Sequence, residues 1–338
     1  MKAAVIRETG GPGVMKLEKD YPVPALDASK PEVLVKNQYA GINFIDTYHR
    51  SGLYARDLPF VGGQEGGGTI AAVTPAAEKQ GWKVGDTVSY SILQTYSEYA
   101  KVPAGKLISV PKDIPMEVAV SCVVQGLTAH YLTASAHANL IQPGEWMLIH
   151  GVGGGTCQWA AQMAKAQGYK VIGTVSKAKE AVGKATGCDE LIVYDNAPGV
   201  TYEDYTSVDG AAKVMEITGG KGAKAIIDGI GLATWEMSLA SLAVRGIFVS
   251  FGNASGAVPA FPPLKLIAKS GYLTRPKLLD YTQTVEEKNQ RAGDIFRWIK
   301  EGKLKVSVDK TFPLDQAKEG HEYLEAGKST GKVLYKIE

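Results

Sequence analysis

Gly151, Gly153, Gly154 and Gly155 fall within the string HGVGGGTCQWAAQMAKAQG, between an apolar run ending at His150 and a stretch whose apolar residues recur at helical spacing. Glycines at such a joint remove side chains where a strand turns sharply into a helix. They also let backbone N–H groups approach a pyrophosphate at the positive end of the helix. The motif is informative here because a further apolar run, Lys170 to Val175, follows the helix; without that context it would be a tight turn that merely needed glycine. Cys157 stands where a third glycine would let helix and strand pack closely, and it is small enough to leave that packing open. About 20 residues beyond the glycines, an NAD site carries Asp or Glu to bind the ribose 2′-hydroxyl. This chain has Val175-Ser176-Lys177 at that point. A hydroxyl and an ammonium suit a 2′-phosphate, so the expected cofactor is NADPH. The plainer reading of Lys177 is a solvated lysine at a strand end. Lys332, in Thr330-Gly331-Lys332, is a second candidate for the phosphate if the C-terminus folds back.

Two strings nearer the N-terminus resemble zinc-binding signatures of alcohol dehydrogenases with the ligands exchanged. In GINFIDTY, Asn43 takes the place of a cysteine ligand; in GGQEGGG, Gln64 takes the place of a histidine, while Glu65 is retained. Neutral amides are poor zinc ligands beside thiolate and imidazole. The four-cysteine structural lobe has no counterpart, Cys122 alone makes no site, and the five histidines show neither HxxxH nor HxH spacing. No metal is therefore expected, which restricts the chemistry. Hydride delivery to a simple ketone builds an alkoxide whose conjugate acid has a pKa of roughly 16, where a Lewis acid is valuable. Delivery to a quinone builds a phenolate with a pKa of about 10, and hydrogen bonds suffice. An activated enone lies between.

The elements that must position these groups change in texture along the chain. KAAVIRE, EVLVKNQYAGI, GGTIAAVT, DTVSYSIL and YSEYAKVP read as short strands separated by Gly, Pro and Asp, which suggests a small β-rich domain. From about Gln125, apolar strands alternate with helical stretches. Runs ending at Ile149, Val175, Val193, Asp228 and Ser250 predict a doubly wound parallel sheet. A helix around Ala292 to Lys300, the strand KVSVDKTFPL, a helix from Leu314 to Ala326 and the strand VLYKI are expected to return to the first domain. The fold class is thus α/β, with domains at 1–124 with 271–338 and at 125–270. The 338 residues are 45% hydrophobic with a net charge of +2, which supplies no broad cationic field for nucleic acid or anionic membrane. Three cysteines without CxxC spacing fit free thiols in a reducing compartment, and no apolar run approaches a membrane span. A cytoplasmic location is the expectation.

Across essentially the whole chain, GINFIDTYHRSGLY, HGVGGG, GTVSKAKEA, ITGGKGA, TWEMSL and VSFGNASGAV resemble the zinc-free quinone oxidoreductases of the medium-chain dehydrogenase/reductase superfamily, the group that includes zeta-crystallin. The resemblance implies a GroES-like catalytic domain, a Rossmann domain, a cleft between them and a homodimer joined through the Rossmann sheets. It places Asn43, Asp46 and Tyr48 near a nicotinamide and Gly153, Gly154, Gly155 and Thr156 at the pyrophosphate. Ser176, Lys177 and Tyr194 fall around the adenosine phosphate, with Ser250, Phe251, Gly252 and Asn253 under the ribose and nicotinamide and Leu273 as a further cofactor contact. Taken apart from the resemblance, Asp46 reads equally as a helix cap, Phe251 as a core aromatic and Tyr194 as a strand-end tyrosine. Asn43, Tyr48 and Tyr54 are the candidates to orient or protonate a quinone oxygen, with water as an equal rival. The activity implied is NADPH-dependent quinone reduction, as one hydride or as stepwise electrons. The alternatives are reduction of α,β-unsaturated ketones or aldehydes, and a low-turnover NADPH-binding protein of structural or RNA-binding type.

Overall fold

Alternating apolar and polar residues in EVLVKNQYAGI produce the longest strand, Glu32–Ile42, and the first unit is organised around it. Our computed structural model describes residues 1–194 and 209–337. The chain divides into two units: Met1–Gln125 with Thr282–Arg297 and the chain from Val306 onward, and Gly126–Tyr281 with Trp298–Lys305. In the first unit a seven-stranded sheet runs in the order Val308–Pro313, Lys332–Lys336, Glu32–Ile42, Glu65–Val73, Thr87–Ser91, Leu107–Ser109, and Tyr99–Pro103 also pairs with Glu32–Ile42. The C-terminal strand runs antiparallel to Glu32–Ile42 with Val333 opposite Ile42. Val33, Val35, Ile70, Val88, Tyr90, Val102 and Leu107 fill one core beneath this sheet. A second core, including Val5, Ile6, Phe60, Tyr96, Leu324 and Tyr335, joins it to a small sheet ordered Met15–Glu18, Ala3–Ile6, Phe60–Val61.

The second unit is a six-stranded, wholly parallel sheet in the spatial order Glu190–Val193, Lys170–Val175, Trp146–Ile149, Ala223–Asp228, Leu242–Ser250, Tyr272–Thr274. By chain order this is 3-2-1-4-5-6, the doubly wound arrangement whose direction reverses between the first and fourth strands. Leu148, Ile172, Ile226 and Phe248 are buried on one face of this sheet and Met147, Val171 and Ile247 on the other, which explains why these strands are unbroken apolar runs rather than alternating ones. The helix Gly155–Ala166 buries Trp159, Ala160, Met163 and Ala164, the stripe read from the sequence. One boundary is corrected. Tyr272–Thr274 pairs in parallel with Leu242–Ser250 and belongs to this sheet, although residues from 271 onward were assigned to the first domain. A three-residue edge strand carries too little periodicity to reveal its partner.

Cys122, Cys157 and Cys188 are free thiols. Among the described residues no helix is long and apolar enough to cross a membrane.

Candidate functional site

In the second unit the glycine turn lies at the carboxyl end of the first strand, beside the point where strand order reverses. Gly151 takes a left-handed backbone with φ of +73°, open to glycine at little cost. Gly154 caps Gly155–Ala166 without any side-chain acceptor, so the first-turn N–H groups stay available to an anion. The glycines differ in role. A Cβ on Gly153 would stand 2.8 Å from Cβ of Lys179 and 3.1 Å from Val175, so packing forbids it. A Cβ on Gly154 would meet nothing closer than the Gly151 carbonyl at 3.4 Å; its space is left open by the protein itself. That vacancy over uncapped amides fits a pyrophosphate. Cys157 is buried within the helix face, and burial lifts its thiol to about 12, so it acts as a small apolar packing group.

A buried polar chain fastens this turn to the fourth strand. Thr174 Oγ1 accepts from the Gly151 N–H at 3.1 Å and lies 3.1 Å from His150 Nδ1; His150 Nε2 lies 3.1 Å from Ser238 Oγ, which donates to Asp228 Oδ2 at 2.9 Å. Burial pulls the His150 pKa down, so the ring is neutral and passes one hydrogen bond in each direction. Asp228 also accepts from the N–H groups of Ile230 and Gly231 and from Thr234. Its carboxylate therefore shapes the loop after the fourth strand. Phe251 donates its N–H to the Asp228 carbonyl at 2.8 Å, and its ring packs on Gly229. Arg275 ties down the neighbouring loop by donating to Ser250 Oγ and the Gly252 carbonyl, each at 3.0 Å.

Ser176 is buried at the end of the second strand, and Tyr194 donates its N–H to the Val175 carbonyl. A cavity of about 400 Å³ is lined in part by His150, Thr174 and Tyr194. The exposed Lys177 ammonium lies 2.5 Å from the partly exposed Glu180, a surface pairing that a phosphate can displace. Gly153 to Thr156, Ser176, Lys177, Tyr194 and Ser250 to Asn253 are thus gathered at one end of one sheet. Leu273 stands apart from them, mid-strand on the sheet edge and 45% exposed.

In the first unit a second cluster forms around the helix Phe44–Ser51. Asp46 caps that helix by accepting from the Asn43 N–H at 2.8 Å, so the capping reading holds for it. The same oxygen accepts from Tyr96 at 2.8 Å; Tyr96 lies 3.3 Å from His321 Nε2, and Arg50 donates to His321 Nδ1 at 3.0 Å. Because an arginine only donates, Nδ1 carries the lone pair and Nε2–H points at Tyr96. Burial raises Asp46 from an ordinary 3.8 to about 7, against the pull of its Tyr96 and Asn43 donors. Burial and the Arg50 charge push His321 down to about 3. Tyr48 and Tyr54 meet edge to face with centroids 5.4 Å apart, and His49 packs on Tyr54 from 6.0 Å. Asn43, Asp46, Tyr48 and Tyr54 are therefore brought together.

Lys332 requires correction. Its ammonium is fully buried, forms an ion pair with Glu65, donates to Asn43 Oδ1 at 2.9 Å and approaches the Ile42 carbonyl at 3.3 Å. It has no path to a cofactor phosphate, because parting it from Glu65 would leave a buried carboxylate uncompensated. Asn43 Nδ2 donates to the same Glu65 carboxylate at 2.7 Å, and Val124 N–H donates to the other oxygen at 2.6 Å. Gly41 is needed here, since a Cβ would collide with the Glu65 carboxylate. A lysine cation thus occupies the retained glutamate, and among the described residues no three His, Cys, Asp or Glu side chains converge as a ligand set.

Sequence reasoning missed Asp228, Ser238, Arg275, Tyr96, His321 and Arg56. Arg56 follows the tyrosine pair and has its guanidinium 4.3 Å from the Phe60 ring centroid. Near it, His49 Nδ1 and Gln64 Oε1 are buried without hydrogen-bond partners. The single basic residue in GLYARDLP was the one available signal for Arg56; the others are joined only by folding.

Residues 29–142 match the family described as alcohol dehydrogenase GroES-like domain, and residues 187–334 match the one described as zinc-binding dehydrogenase. A quinone oxidoreductase of Pseudomonas aeruginosa is 38% identical over 331 residues, 96% of each chain. The crystal structure of the Escherichia coli quinone oxidoreductase complexed with NADPH superimposes with a TM-score of 0.90 at 36% identity, covering 100% of both chains. A 2-haloacrylate reductase from a Burkholderia species is 33% identical over 98% of each chain.

Proposed function

Because this chain belongs to the quinone oxidoreductase family of the medium-chain dehydrogenase/reductase superfamily, we propose that it reduces a quinone at the expense of NADPH, without a metal. The observation that carries the reading is the glycine turn, in which Gly154 leaves space over uncapped helix amides that nothing in the protein fills. The N–H groups of Gly155 and Thr156 would hold the pyrophosphate over the open space at Gly154, whose own N–H donates to the Gly151 carbonyl, and Ser176 with Lys177 would take the 2′-phosphate. Asn43, Asp46 and Tyr48 would face the nicotinamide. When bound, NADPH supplies the hydride from its nicotinamide C4. The protein's part is position: the rings of Tyr48 and Tyr54, packed edge to face, would give a quinone an aromatic surface to lie against, and their hydroxyls would orient a quinone oxygen or, with water, protonate it.

The chain is further read as a cytoplasmic homodimer. Tyr272 and Leu273, 49 and 45% exposed, stand on the edge strand of the parallel sheet, and Leu264 and Ile267, 71 and 72% exposed, lie in the short helical segment Pro263–Lys269 that precedes it, apolar surface suited to a second copy.

Reduction of an activated carbon–carbon double bond is the second reading, favoured by the similarity to a 2-haloacrylate reductase. NADPH oxidation followed by absorbance with a neutral quinone and with a conjugated enone separates the two. Faster turnover of the quinone supports the first reading, and a hundredfold preference for the enone replaces it with the second. Tight NADPH binding with no acceptor reduced would sink both.

A further inference from the structure

Arg56 is the one residue of the Tyr48–Tyr54 cluster whose charge neither reading uses. Its guanidinium is half-buried and stacked on Phe60, and among the described residues it makes no hydrogen bond and no ion pair. A planar fork of five donors held in one place and left unanswered is a site for an oxyanion. Its surroundings say where that oxyanion lies. Arg56 is close enough to Asp46 for their charges to act on each other, and close enough to His49 to help hold that imidazole neutral. His49 packs on Tyr54, and Tyr54 on Tyr48.

We infer that Arg56 is a specificity-determining residue that recognises a carboxylate carried by the acceptor, with the acceptor's ring lying against Tyr48 and Tyr54. The inference rests on the reading of this site as an acceptor-reducing one. A neutral quinone leaves the guanidinium unanswered; a ring or enone bearing a carboxylate engages it through paired N–H···O bonds. Neither Asp46 nor any other described carboxylate pairs with Arg56 in its place.

The test has a binding arm and a kinetic arm. Calorimetry on the intact protein compares 2,5-dihydroxybenzoate, a hydroquinone carrying a carboxylate, with unsubstituted hydroquinone, in wild type, Arg56→Lys and Arg56→Met. Wild type should bind the carboxylate form tighter by at least about tenfold, the scale of a charged hydrogen bond. Arg56→Met should lose that margin, and Arg56→Lys should recover part of it. In the kinetic arm, the ratio of kcat/KM for carboxylate-bearing over neutral quinone should fall about tenfold in Arg56→Met, mostly through KM. Equal binding of the two probes by wild type would overturn the inference. So would an Arg56→Met variant that instead binds NADPH more weakly while keeping its preference between probes, since the guanidinium would then serve the cofactor's phosphates. Failure of the broader reading shows separately, as no NADPH oxidation with any quinone, and the binding arm still decides the role of Arg56.

Discussion

Asp46 and His321 are linked through Tyr96, and burial shifts them in opposite directions. Asp46 titrates near 7 when folded and near 3.8 when unfolded, so the native state holds the extra proton between these values and its stability falls as pH rises through them. His321 titrates near 3 when folded and near 6.5 when unfolded, so the unfolded state holds the extra proton and stability falls as pH drops through that window. Between about 4 and 6.5 the two slopes offset. We predict that Asp46→Asn steepens the loss of stability toward acid relative to wild type, and that His321→Gln makes stability fall toward neutrality, each on the order of 4 kcal/mol across the window. Denaturant unfolding at a series of pH values reads both; parallel curves for all three proteins would refute the offset. Lys332 is a simpler case. Lys332→Met strands Glu65 without its cation and should cost about 3–5 kcal/mol, with much of the loss recovered when Glu65→Gln is added. Unfolding midpoints of the single and double variants measure this coupling.

At the scale of elements, the strand-to-helix turn separates packing from binding. Gly153→Ala forces a methyl against Lys179 and Val175 and should cost about 1–3 kcal/mol of stability. Gly154→Ala meets no such wall, and its φ of −102° suits any residue, so its stability should stay within about 1 kcal/mol of wild type. Its methyl nonetheless projects into the space assigned to the pyrophosphate, and calorimetric NADPH affinity should drop at least about tenfold. A Gly154→Ala protein that binds NADPH like wild type would show that the turn serves packing alone. At the end of the adjoining strand, Lys177→Ala should narrow the preference for NADPH over NADH by about tenfold, the worth of one charge-assisted hydrogen bond. Equilibrium titration with both nucleotides tests it.

For the molecule as a whole, the proposed homodimer would form on the free edge of the six-stranded sheet. Tyr272–Thr274 pairs on one side only, and Ile267, in the helical segment just before it, is 72% exposed. The double variant Ile267→Glu, Leu273→Glu should run as a monomer in analytical ultracentrifugation where wild type runs as a dimer. A wild-type monomer at micromolar concentration would dismiss the edge as an interface.

The strands Trp146–Ile149, Lys170–Val175 and Glu190–Val193 were legible in the sequence because burial on both faces imposes an unbroken apolar run, and the glycine turn because a sharp bend admits few residue types. The exchange of zinc ligands for amides at positions 43 and 64 was equally plain, since ligand chemistry is a property of residue type. Partnership was not legible. That Lys332 answers Glu65 across 267 positions, that His150 and Asp228 are bridged by Ser238, and that Arg56 arrives beside Asp46 are products of sheet pairing and loop closure. A charge states what a residue offers; only the fold decides whether burial, a neighbouring ion or a ligand will answer it.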